Sequence, residues 1–189
     1  MCNAMTHRLT LPLGDDAIRD VRAGDTVYLT GKILTARDAA HKRIRKLLDE
    51  GAPLPFALEG SAVYYAGPCP APPGLPIGSC GPTTSSRMDG YAPRLIALGL
   101  KLMIGKGPRA AAVNEAIVRH CGLYLAATGG AGALYARCVK SARVVAFEDL
   151  GAEAVRELEV EDMPLVAAVD CHGGNLFETG PSEYVRAES

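Results

Sequence analysis

The chain has no surplus of either charge: 20 lysines and arginines stand against 21 aspartates and glutamates over 189 residues. So even a balance supplies no broad electrostatic footprint for a polyanion, and nucleic acid is not an expected partner. Long apolar runs are missing as well. None approaches the ~20 residues of a membrane span, and the N-terminus lacks the basic-then-apolar pattern of a secretory signal, so a cytoplasmic protein with no membrane partner is expected. Cysteine occurs six times, at Cys2, Cys69, Cys80, Cys121, Cys138 and Cys171, but never as C-x-x-C. Scattered reduced thiols and no metal site within this chain are therefore expected. The four histidines are equally dispersed. "GKGP" and "TGGAGA" satisfy neither G-x-x-x-x-G-K-[ST] nor G-x-G-x-x-G, which removes the nucleotide-binding fingerprints. Neither an internal repeat nor a dividing linker is visible.

What is present fits one domain with a sizeable core, since 48% of the residues are hydrophobic. The opening "MCNAM" reads as partly a cloning scar with Met5 as the natural start. Residues 1–8 are read as a tail and 9–189 as a single domain. "DTVYLTGKILTA" from Asp25 reads as a strand, a turn and a second extended piece. "RDAAHKRIRKLLDEG" places Ala40, Ile44, Leu47 and Leu48 at helical spacing, so Arg37 stands where a strand hands over to a helix. Six prolines between residues 67 and 82 exclude a helix or central strand and make a stiff loop. A helix, the strand of "KLMIGKG" ending near Lys106, a second helix, the strand "LYLAAT", a small-residue helix, the strand "RVVAF", an acidic extended stretch "RELEVEDM" and the strand "LVAAVD" follow. This alternation argues for an α/β fold with a substantially parallel sheet.

The stiff loop runs into "GSCGPTTSSRMDGY", which ends in a paired Arg87 and Asp89. Taken singly, Arg37, Arg87 and Lys106 each read as a solvated charge with a surface acid for company. Taken together at strand ends, where ligands collect in α/β folds, they suggest an anion site of dicarboxylate size. Thr83 and Thr84 have two readings: a helix cap, or a hydroxyl four residues before Arg87 whose deprotonated form the cation favours, making it a proton acceptor.

The blocks "LTGKILTARDAAHKRI", "LPFALEGSAVYYAGP", "GPTTSSRMDGY", "MIGKG", "GGAGALYARCVKS" and "EVEDMP", in this order, resemble the C-terminal domain or β subunit of class I, iron-sulfur-dependent fumarate hydratases and the related L-tartrate dehydratases. The resemblance runs from about Leu9 to Phe177. It implies a swivelling β/β/α domain in three layers with a mainly parallel central sheet. It also implies an α subunit carrying a four-iron, four-sulfur (4Fe-4S) cluster, with this chain as the β half of a hydro-lyase that reversibly dehydrates a 2-hydroxy dicarboxylic acid such as malate. On the matching motifs Thr83 is implied as the catalytic base, and Arg37, Arg87 and Lys106 as substrate-carboxylate contacts. A tartrate or methylated dicarboxylate substrate, or a regulatory module that binds a dicarboxylate without turning it over, are the rival readings, and self-association is compatible with all of them.

Overall fold

The computed structural model describes residues 4–182, so Cys2 and the last seven positions assigned to the domain lie outside the described residues. The β-branched and aliphatic run after Asp25 forms one strand, β2 (Thr26–Thr35), rather than two pieces. Gly31 is the reason: it adopts φ 116°, a left-handed conformation open to glycine, and absorbs a bulge that keeps the strand continuous. The acidic stretch and the strand expected after residue 155 likewise merge into a single β7 (Val155–Val169). Opposite Thr30 that strand carries its own irregularity, where Asp162 has φ 47° and its amide donates to Thr30 Oγ1 at 3.0 Å.

β1 (Thr6–Thr10), β2, β3 (Ala62–Tyr64), β4 (Leu102–Gly105) and β5 (Leu123–Ala126) pair in parallel in that order. β7 then runs antiparallel to β5, to β6 (Val139–Ala146) and along the length of β2, so the sheet closes into a barrel. The expected α/β class holds. The sheet is nevertheless mixed, with an antiparallel closing strand that an open, mainly parallel central layer does not contain; the acidic composition of β7 concealed its length.

Both faces of β3, β4 and β5 are covered, which is why these strands read as apolar runs without alternation. Ala62, Tyr64, Leu102, Ile104, Leu123 and Leu125 join Ile33, Leu158 and Val160 in one buried cluster on the inner face. Their alternates Val63, Met103 and Tyr124 face outward. There they meet Ala40 and Ile44 of α2 (Asp38–Asp49), Leu95 and Ile96 of α3 (Ala92–Ala97), and Val113 and Ile117 of α4 (Ala111–Arg119). The remaining helices, α1 (Asp15–Arg19), α5 (Gly132–Cys138) and α6 (Leu176–Ser182), are short. Among the described residues no helix is long and apolar enough to cross a membrane.

Ile33 and Leu158 face one another across the closing ladder and are fully buried. Leu158→Ala removes apolar contacts at the seam and is expected to lower the unfolding free energy by about 2–5 kcal/mol, read from the urea midpoint at unchanged m-value.

Candidate active site

The four strands β2 to β5 are parallel neighbours, so the residues leaving their C-terminal ends collect along one rim of the barrel. Arg37 and Asp38 follow β2, Gly67 follows β3, and Lys106 follows β4. The proline-rich loop is held by its own backbone, with Cys69 N donating to Ser79 O at 2.9 Å and Gly78 N to Cys69 O at 3.0 Å. It returns to the rim through Thr83, whose amide donates to Tyr65 O at 2.7 Å. Lys106 N in turn donates to Thr83 O at 3.3 Å, and Ser85 N to Lys106 O at 2.9 Å. Thr83 and Lys106 are thereby stitched side by side.

After Thr83 the chain makes a short 3₁₀ turn, Ser85–Met88, and no side chain caps it. The capping reading of the threonines is thus corrected: Thr83 Oγ1 accepts a hydrogen bond from Arg87 Nη1 at 3.3 Å instead. Arg87 is not paired with Asp89. Its Nε donates to Asp38 Oδ1 at 2.9 Å and its Nη2 to Asp38 Oδ2, a two-pronged contact between residues far apart in sequence. The Arg87 hydrogen bond holds the Asp38 carboxyl below its ordinary range, against a smaller opposing effect of burial. Lys106 is exposed, and its ammonium has no hydrogen-bond or ion-pair partner among the described residues.

Arg37 takes a different course. It stands at the N-cap of α2, as the strand-to-helix handover predicts, but its guanidinium lies against the backbone of Gly67 and 3.8 Å from Glu153 Oε1. A Cβ at Gly67 would come within 2.9 Å of Arg37 Nη1, so the space beside this strand end is left for the arginine. The structure joins Thr83 to Arg87 through their side chains and to Lys106 through the backbone; Arg37 adjoins them through Asp38 and is turned toward Glu153.

Several residues that support the rim escaped the sequence reading. Asp89 accepts from Arg109 Nε at 2.6 Å and from the amide of Ala110 at 2.7 Å, tying the end of the 3₁₀ turn to the start of α4. The Arg109 side chain is fully buried, sandwiched 5.2 Å from the Tyr65 ring centre and 5.0 Å from that of Tyr124. Burial pushes the Tyr124 phenol up to about 12, so it keeps its proton. That proton goes to Gly107 O at 2.8 Å, leaving the phenol oxygen to accept from Ser85 Oγ at 2.8 Å. Behind Arg37, its carbonyl accepts from both the amide of His41, at 2.9 Å, and the ring Nδ1, at 2.8 Å. Glu153 Oε2 accepts from the amide of Ala39 at 2.9 Å, satisfying a free donor at the start of the helix. Asp38 and His41 were visible within "TARDAAH" and Asp89 within "RMDG", but nothing in the spacing names their distant partners.

Two measurements follow from this support. Asp89→Ala leaves the buried Arg109 cation uncompensated and is expected to cost about 3–5 kcal/mol in chemical denaturation. The His41 ring is fully buried, and burial pushes its pKa down to about 4 from 6.5. Between those two values the unfolded chain binds a proton that the folded chain does not. The contribution is therefore complete above pH 6.5 and is lost as the pH falls toward 4, by about 3 kcal/mol at most. Urea unfolding across that window should show a shallower pH slope for His41→Leu than for the parent; equal slopes would refute the assignment.

No three histidine, cysteine, aspartate or glutamate side chains come together as a metal-binding group among the described residues. The five described cysteines are free thiols. Among the described residues no set of side chains fits an iron-sulfur cluster.

Residues 4–180 match the family model described as "Fumarase C-terminus". The chain is 41% identical over 152 residues to the anaerobic class I fumarate hydratase of Escherichia coli, covering 79% of this chain and 28% of that protein. It is 40% identical over 167 residues to a putative L(+)-tartrate dehydratase subunit beta of Methanocaldococcus jannaschii, covering 85% of this chain and 86% of that protein. To the L(+)-tartrate dehydratase subunit beta of Escherichia coli it is 34% identical over 178 residues, covering 92% and 87%. The chain thus spans about a quarter of the length of the fumarate hydratases it matches and most of the length of the β subunits. By the extent of these matches, the chain belongs to the fumarase C-terminus family.

Proposed function

We propose that this chain is the β half of a hydro-lyase that reversibly removes water from a 2-hydroxy dicarboxylic acid, malate to fumarate in the first instance. The observation that carries the reading is the Thr83 hydroxyl held by Arg87 Nη1, on a backbone bonded directly to that of Lys106, on the rim where four parallel strands end. The near-complete match to the tartrate dehydratase β subunits supports a second component, an α subunit. The 4Fe-4S cluster is assigned to that α subunit, since these residues do not fit it. The cytoplasmic setting, the swivelling three-layer arrangement and any self-association belong to the same proposal.

In this reading Arg87 and Lys106 meet the substrate carboxylates, and Arg37 adds a third cation on exchanging Glu153 for substrate. The hydrogen on C3 is weakly acidic, so its base must be positioned and the charge that develops on the adjacent carboxylate must be met by cations. Thr83 Oγ1, as the alkoxide that Arg87 Nη1 favours, takes the C3 proton. The C3–H electron pair becomes the double bond as the C2–O bond breaks. The proton that turns the departing hydroxide into water comes from the partner.

A tartrate substrate is the second reading, favoured by how fully the chain covers the two tartrate dehydratase β subunits. An anaerobic panel of L-malate, L(+)-tartrate and a methylated analogue on the co-purified complex separates the two. Binding without turnover by any of them would make the chain a dicarboxylate-binding module instead. Thr83→Ala is expected to lower kcat by about 10²- to 10⁴-fold while substrate still binds. Arg87→Lys is expected to recover only part of the affinity lost in Arg87→Ala, because a point charge does not reproduce the fork. A folded Thr83→Ala complex with near-normal turnover would remove Thr83 as the base.

A further inference from the structure

We propose that Asp38 is a positioning residue of this site: it holds the Nε and Nη2 edge of Arg87, so that Nη1 alone is presented to Thr83 and to an incoming carboxylate. The inference rests on the hydro-lyase reading for its consequence in turnover, though the geometry stands without it.

Arginine can offer a carboxylate either its side edge or its end, and a free guanidinium turns between the two. Here the side edge is taken by both oxygens of Asp38. The plane is thereby fixed, and the remaining Nη1 points at Thr83 Oγ1. Asp38 is itself held, because it opens α2, whose next amide is bonded to Glu153 and whose Arg37 carbonyl is bonded twice by His41. The clamp therefore carries the register of α2 to a side chain on the returning loop.

The pair is poorly placed to hold the fold together. The side chains of Arg87 and Asp38 are 45% and 41% exposed, and an ion pair so open to water adds little stability. It also offsets charge that would otherwise attract a dianion. An arrangement that gives little stability and weakens the cation is explained by the orientation it imposes. Without Asp38 the guanidinium would have another acid within electrostatic reach, Glu153, which would draw it from Thr83.

The test uses the reconstituted α/β complex with L-malate and L(+)-tartrate. Asp38→Asn removes the anion and half the fork. The expected result is a kcat lowered about 10- to 100-fold, the size of a misaligned reacting group, with KM unchanged or lower because Arg87 regains its full charge. Asp38→Glu should recover more of kcat than Asp38→Asn. The melting temperature of each variant should move by no more than about 4 °C. Unchanged kcat in Asp38→Asn, or a lost kcat that tracks a large fall in melting temperature, would overturn the proposal. If the parent complex turns over neither acid, it is the hydro-lyase reading that fails, and the positioning is then decided on the full chain alone. The ¹⁵N–¹H signal of Arg87 Nε, assigned by its disappearance in Arg87→Lys, should be slow to exchange with water in the parent and lost in Asp38→Asn. A signal that is absent in the parent or unaltered by the substitution would refute the clamp.

Discussion

The antiparallel ladder between β2 and β7 is the constraint on which the rest depends. It runs from Thr26 opposite Val166 to Thr35 opposite Arg156, and without it the sheet would stay open, with β1 at one edge and β6 at the other. A strand long enough to pair with β5 at one end and with β6 at the other, while running the length of β2, forces the sheet round on itself. Closure gives the parallel strands a dry inner face. It leaves the helices α2 to α4 the outer face, and it brings the C-terminal ends of β2, β3 and β4 to a shared rim. The bulges at Gly31 and Asp162 make this possible, because two long strands can follow a curved seam only if their registers slip together.

Two of the ion pairs at the rim are of opposite character. Arg109 is buried and Asp89 half-buried, with the cation enclosed by two aromatic rings and the anion also holding a backbone amide. Removing one partner there leaves a charge with no water to turn to, so the pair fastens the 3₁₀ turn to β4 and α4. Arg87 and Asp38 lie in the open, where Coulomb attraction is weak and water competes for every bond. The first pair fixes where the turn stands; the second fixes which way one side chain on that turn faces. Stability and orientation are thus handled by different residues only a few positions apart.

The sequence made the α/β class legible because strand and helix periods alternate, and it made the strand ends legible because Arg37 and Lys106 follow directly on apolar runs. The stiff loop followed from proline chemistry alone. Barrel closure was hidden, since β7 looks like an acidic extended piece followed by a separate apolar strand, and a half-exposed strand with charges on one side gives no hint of its partner. The pairing of Arg87 was misread for a related reason. Asp89 is two residues away along the chain, whereas Asp38 is brought to Arg87 only by the adjacency of β2 and β3. Proximity in sequence pointed to the wrong acid, and Arg109, the true partner of Asp89, lies beyond a whole strand. The motif resemblance named Thr83, Arg37, Arg87 and Lys106, but it was silent on what surrounds them.

The distribution of charge along the rim then narrows what the site can accept. Arg37 has Glu153 nearby, Arg87 has Asp38, and Lys106 has no partner among the described residues, so the three cations stand against two anions. The Glu153 contact is the looser, at 3.8 Å, with Arg37 Nε buried and unbonded. A buried donor without a partner is costly and is relieved by any acceptor that reaches it. Exchange of Glu153 for a substrate carboxylate is therefore easier at Arg37 than exchange of the two-pronged Asp38 at Arg87. In the proposed hydro-lyase reading, one carboxylate meets Lys106 and the Nη1 of the clamped Arg87, and Arg37 takes up the other on releasing Glu153, so the Asp38 contact is not broken. In that reading Lys106 and Arg37 supply charge that is free to move toward the substrate, while Arg87 supplies a charge whose direction Asp38 has already fixed.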